Sequence, residues 1–195
     1  MARSFMAGML LTLLFNVWFS PFTYAQEQFS LKGTIFEEVA TDVGIDPLLL
    51  YAIAITESAK SAGNGYITPH PYVFRSSAGP RFFKTKMEAS TALDEILAET
   101  QHVDIGMMQI NLHYHPQPNP HDLLDPLHNL TVAANYLKKA MASTDDPIIG
   151  VGRYHSWTKE LASWYGERVW QTYRNLLQLA DYKRPNYTLI GGKNE

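Results

Sequence analysis

The chain has 195 residues, a formal charge of −3, 46% apolar and 18% charged residues, and no cysteine. That length suits one domain with a single core, and the composition excludes a disordered chain. The missing cysteines exclude disulfides, thiolate-bound zinc, iron–sulfur clusters and a cysteine nucleophile, and the mild negative charge leaves no basic footprint for nucleic acid.

The N-terminus reads as an export signal. Arg3 is the only charge in the first 25 residues, an apolar run follows from Phe5 to Phe15, and Thr23-Tyr24-Ala25 offers small residues where a signal peptidase reads. The run is short against the ~20 apolar residues of a membrane span, although an uncleaved anchor is the alternative reading. The expected division is a signal peptide over 1–25, one domain over 26–183 and a flexible tail over 184–195.

Helical signals dominate the domain. Thr34 to Val43 is a short amphipathic stretch that Gly44 can end. Asp46-Pro47 is an N-cap followed by proline at the first helical position, and the apolar PLLLYAIAITESAK predicts a helix to about Lys60. Glycines and prolines from Gly63 to Pro80 then mark a long loop, with a small hairpin expected from Tyr72–Phe74 and Arg81–Lys84. Met87 to Glu99 is helical, with Ala89, Leu93, Ile96 and Leu97 on one face. A short apolar segment over Asp104–Asn111 and a proline-rich loop, HPQPNPH, come next. Asp125-Pro126 restarts helix through Ala142, and Asp146-Pro147 caps a short one to about His155. Thr158 to Asp181 is the longest, with Leu161, Tyr165, Val169, Tyr173, Leu176 and Leu177 at helical spacing. The expectation is a mostly α single domain with at most a small β-hairpin.

Glu57 stands out near the end of an otherwise almost uncharged helix. Leu50, Ile53 and Ala54 precede it by seven, four and three residues, which places its carboxyl on the face of the apolar contacts. An apolar setting and the negative helix end both disfavour the ionised form, so the carboxyl is expected to hold a proton near neutral pH, as a general acid must. The alternative is a surface glutamate bonded to Ser58 or a lysine. Two further segments carry chemistry. Gly106-Met107-Met108-Gln109-Ile110-Asn111 combines a glycine with two amides suited to sugar hydroxyls and N-acetyl groups, or is a buried turn whose amides serve the backbone. Gly150 to Trp157 carries Tyr154, a hydroxyl on a stackable ring, or is a helix end packed by aromatics.

The three segments occur in order, and together the chain resembles the lysozyme-like lytic transglycosylases of the soluble-lytic-murein type. The resemblance rests on Ile45-Asp46-Pro47-Leu48-Leu49-Leu50 through Glu57-Ser58, on Asp104-Ile105-Gly106-Met107-Met108-Gln109-Ile110-Asn111, on Leu124-Asp125-Pro126-Leu127-His128-Asn129-Leu130 with Ala133 to Leu137, and on Tyr154. It covers roughly Phe36 to Tyr173. It implies an α+β lysozyme-like fold, a periplasmic location and cleavage of the β-1,4 bond between N-acetylmuramic acid and N-acetylglucosamine with closure of a 1,6-anhydro ring. It further implies that Glu57 is acid and then base, and that Gly106, Met108, Gln109 and Asn111 line sugar subsites. Tyr154 would orient the carboxyl or an acetamido group, and Ser58 would support the site. Asp104 is the nearest motif carboxylate, an electrostatic helper or a turn cap. No cofactor is implied. Relatives with this Asp-x-Gly-x-Met-Gln-Ile-Asn pattern often serve secretion, pilus or conjugation machines, which makes such apparatus proteins candidate partners beside the glycan strands.

Two departures stand out: a long insertion over 59–105, which could form a lid, a specificity wall or a docking surface, and Tyr154-His155-Ser156 in place of the common Tyr-Asn-Ala. Other chemistries find little support. His113 and His115 flank Tyr114 and could face one metal with His102, His121 or His128, but there is no His-Glu-x-x-His pattern and no Gly-x-Ser-x-Gly elbow. The competing functions are a water-using muramidase and a non-catalytic wall-binding assembly factor.

Overall fold

The computed structural model describes residues 29–63 and 65–180. The expected signal peptide and C-terminal tail lie outside the described residues.

Helix α1 (Ile35–Val43) ends at Gly44, whose left-handed φ of 79° lets its N–H close onto the Ala40 carbonyl. Helix α2 (Pro47–Ser58) is capped by Asp46, which accepts from the Leu48 and Leu49 amides at 2.8 and 3.4 Å. Its second oxygen accepts the Tyr173 hydroxyl at 2.8 Å, so the cap also joins the helix to the C-terminal part of the chain. Every residue from Pro47 to Ala54 is buried, which makes α2 the core helix rather than a surface one. Helix α6 (Lys159–Ala180) and α1 pack on it.

The insertion contains more strand than the expected hairpin. Helix α2 stops at Ser58, short of Lys60, where the Ser58 carbonyl and hydroxyl both accept the His70 amide and strand pairing replaces the helical bonds. The chain then runs out as β1 (Ala59–Gly63) and returns as β2 (Tyr66–Pro69), an antiparallel hairpin. The hairpin anticipated further on is present as β3 (Val73–Ser76) and β4 (Gly79–Phe82). Strand β3 also pairs with β5 (Asp104–Ile105), and β5 with β6 (Ile110–Asn111), giving a sheet of order β4-β3-β5-β6.

Helix α3 (Lys86–Leu97) buries Ala89, Ala92 and Leu93, with Ile96 and Leu97 half-buried against the core. A 3-10 turn over Pro120–Leu124 interrupts the proline-rich loop and leads into α4 (Pro126–Met141), capped by Asp125. Helix α5 (Pro147–Gly152) is capped by Asp146 and ends before His155, the chain continuing in tight turns as the Tyr154 and His155 amides reach Val151 and Gly152. Helices α5 and α6 approach very closely: a Cβ on Gly152 would sit 1.8 Å from the Ala162 carbonyl oxygen, and one on Gly166 would sit 2.1 Å from that of Ile148. Leu161, expected on the core face of α6, is 48% exposed, while Tyr165, Val169, Tyr173 and Leu176 are buried. The outcome is a compact α+β fold in which the sheet stands beside the end of α2 that carries Glu57. No single described helix is long and apolar enough to cross a membrane.

Candidate active site

Glu57, Arg75, Asp104, Gln109, Asn111 and Tyr154 share the wall of one cavity of about 570 Å³, completed by Ile110, Tyr114, His115, Tyr136, His155, Ser156 and Trp157. Five separate parts of the chain supply them: the last turn of α2, the sheet with the turn between β5 and β6, the loop after β6 at Tyr114 and His115, α4 at Tyr136, and the turn after α5.

The Glu57 carboxyl accepts the Tyr165 hydroxyl at 2.5 Å. Burial pushes its pKa up to about 7, with the Asp104 charge adding to the rise; the Tyr165 bond and the Arg75 and Arg168 charges pull the other way. Loss of solvation therefore outweighs two cations and a hydrogen bond. A carboxyl so placed can hold a proton at neutral pH, release it to a leaving-group oxygen, and take one back.

The motif after β5 is a tight turn built around Asn129. Gly106 has φ +78° and an added Cβ there would lie 2.5 Å from the Asn129 amide nitrogen, so glycine is needed on both counts. Asn129 is buried; its amide donates to the Ile105 carbonyl at 2.9 Å and its oxygen accepts the Met108 N–H at 3.0 Å. Gln109 is held with φ 47°, and its amide donates to the Gly106 and Val73 carbonyls. Its side-chain oxygen is buried without a partner among the described residues.

Asp104 stands opposite Asn111 in the ladder and accepts its amide at 2.8 Å; on the other side it stands opposite Arg75. Burial raises the Asp104 pKa, while the Asn111 bond and the Arg75 charge lower it. The Asn111 oxygen accepts the His113 and Tyr114 amides, so this side chain both braces Asp104 and shapes the next turn.

Tyr154 lies in the wall, but its hydroxyl donates to the Met108 carbonyl at 2.7 Å rather than to Glu57. The residue on the carboxyl is Tyr165, whose ring carries the His155 ring flat against it at 4.9 Å and 7°. Ser58, Gly106 and Met108 are buried and do not line the cavity. Met108 contributes its backbone to Tyr154 and Asn129, and Ser58 ties α2 to the residue after β2. Tyr165, Arg75 and Tyr136 carry no site role in the sequence reading, and His155 and Trp157 enter it only as members of the Gly150–Trp157 segment. Tyr165 had been read as a core position on its helical spacing, and Arg75 lay in a segment read as loop. The two histidines considered as a metal pair diverge: the His113 ring lies 4.0 Å from His102, and the His115 ring 4.3 Å from Tyr136. Among the described residues no group of three His, Cys, Asp or Glu is placed to hold a metal ion.

A desolvated acid at the end of a buried helix, facing a small sheet across a cleft, defines a lysozyme-like enzyme. A comparison with protein-family models matches residues 34–177 to the transglycosylase SLT domain, and the chain belongs to that family. It is a lytic transglycosylase domain, a lyase acting on peptidoglycan. A search of curated proteins and a search of solved structures each found no match.

Proposed function

We propose that Glu57 is both acid and base in cleavage of the β-1,4 bond between N-acetylmuramic acid and N-acetylglucosamine. The observation that supports this most is its carboxyl at the wall of the cavity, desolvated enough to be protonated near pH 7 and held by Tyr165. Glu57 gives its proton to the bridging oxygen as the bond from that oxygen to the anomeric carbon breaks. The resulting carboxylate takes the proton of the muramyl 6-hydroxyl, whose oxygen bonds to the anomeric carbon and closes the 1,6-anhydro ring. The proton account closes, and no water is consumed. The exposed Trp157 ring suits a sugar face, and Asp104 supplies negative charge toward a cationic intermediate.

In this reading residues 1–25 direct export to the periplasm, and the catalytic domain lies within 26–183. The enzyme opens the wall locally for an envelope-spanning secretion, pilus or conjugation apparatus. The test is digestion of purified sacculi by the parent protein and by Glu57→Gln, with released sugars weighed. Anhydro-muropeptides from the parent alone are the expected result. Reducing-end products would make water the acceptor, and undiminished release by Glu57→Gln would remove Glu57 from the chemistry.

A further inference from the structure

The insertion carries a charge pattern unlike the rest of the chain. Residues 59–87 contain Lys60, Arg75, Arg81, Lys84 and Lys86 and not one Asp or Glu, in a protein whose net charge is −3. All five cations are exposed, and none forms an ion pair among the described residues. Lys60, Arg75 and Arg81 lie on the two sheets, while Lys84 follows β4 and Lys86 opens α3. The sheets join into one lobe: Lys60 lies over the Phe82 ring at 5.2 Å, and the His70 ring meets the same phenyl edge-on at 5.3 Å. Tyr66 and Ile67 on β2 are 73% and 54% exposed, so the lobe offers apolar contacts beside its charges.

The lobe is continuous with the cavity. Strand β1 starts two residues after Glu57, and β3 contributes Arg75 to the cavity wall. Phe82 on β4 stands opposite Val73 and so shares the Arg75 face, which brings Lys60 to that face, while Arg81 stands opposite Phe74 on the other one. A muramyl residue placed at Glu57 bears a peptide stem that must leave along a wall of the cleft. From β5 to β4 is two strand spacings, about 10 Å. A stem of four or five residues reaches about 13–17 Å, long enough to lie across the sheet. Its free carboxylates then reach Lys60 over Phe82, with the remaining cations at the edge of the lobe.

We propose that the basic β lobe binds the anionic peptide stem of peptidoglycan, so that stem-bearing strands are preferred over stem-free glycan. This rests on the functional reading above and adds the part of the substrate that selects the strand. Continuity with the cavity favours a stem over an anionic membrane surface, which has no reason to sit at the cleft.

The test compares the parent with the fourfold variant Lys60→Gln, Arg81→Gln, Lys84→Gln and Lys86→Gln, none of which lines the cavity. Substrates are stem-bearing strands and the same strands stripped by an amidase. The variant is expected to raise KM about five- to tenfold on stem-bearing strands, with kcat and stem-free cleavage within twofold of the parent. The parent's preference should shrink with added salt, and a Lys/Arg exchange at the four positions should restore it. Equal losses on both substrates, or no loss, would overturn the proposal. So would a variant that loses only its binding to phosphatidylglycerol vesicles. If the parent cleaves neither substrate, the functional reading fails by itself, and retention on intact against stripped sacculi still tests the lobe.

Discussion

At Glu57 two opposing influences meet, and their balance sets both activity and stability. Burial raises the carboxyl to about 7 against the Tyr165 bond and the Arg75 and Arg168 charges. With Glu57 as the proposed acid, cleavage should fall as pH rises through about 7. Glu57→Gln should lower the rate by about 10³-fold. Because the folded pKa lies above the unfolded one, the native state holds a proton that the unfolded chain has lost, and stability falls between about pH 4.5 and 7. Glu57→Gln should therefore be more stable than the parent at pH 8, by on the order of 2 kcal/mol, with the gain vanishing at pH 4 in paired denaturant melts. Tyr165→Phe removes a bond that lowers the Glu57 pKa, so the falling limb of the activity profile should move to higher pH; an unmoved limb would deny Tyr165 this positioning role. Glu57 was legible because its apolar neighbours lie within seven residues on one helix. Tyr165 was not, since 108 residues separate the partners and its spacing matched any core aromatic.

Capping signals located the helices well, because Asp-Pro pairs act locally at Asp46, Asp125 and Asp146. The β1–β2 hairpin escaped because its strands are almost wholly exposed and lack an alternating apolar pattern. The end of α2 falls before Lys60 for a tertiary reason: the His70 amide, twelve residues on, bonds to the Ser58 carbonyl and hydroxyl, and the chain leaves the helix there to pair as β1 with β2. The turn between β5 and β6 depends on Asn129 from another element. Asn129→Ala should cost about 2–3 kcal/mol, since two buried backbone groups lose their partner, and it should slow cleavage by loosening Gln109. Gly106→Ala should cost about 2 kcal/mol or more, from a left-handed backbone and a clash with the same amide. Denaturant midpoints of the two variants check this, and a neutral Gly106→Ala would contradict the packing described.

For the molecule as a whole, a helical body holds the acid and a β lobe builds the opposite side of the cleft. Family membership gives the reaction class, and the geometry around Glu57 supports the sequence of proton transfers. The division of charge follows the same plan, with acid-free residues 59–87 beside a cavity that contains Glu57 and Asp104. That plan was only half visible in the sequence. The motif order pointed to the enzyme class, but strand pairing was needed to bring Arg75 opposite Asp104. The most direct test is digestion of peptidoglycan in oxygen-18 water, weighing the muramyl ends formed. Ends lighter by one water and free of the isotope, absent with Glu57→Gln, are the expected result. Ends that carry oxygen-18, or anhydro ends formed equally by Glu57→Gln, would contradict the account.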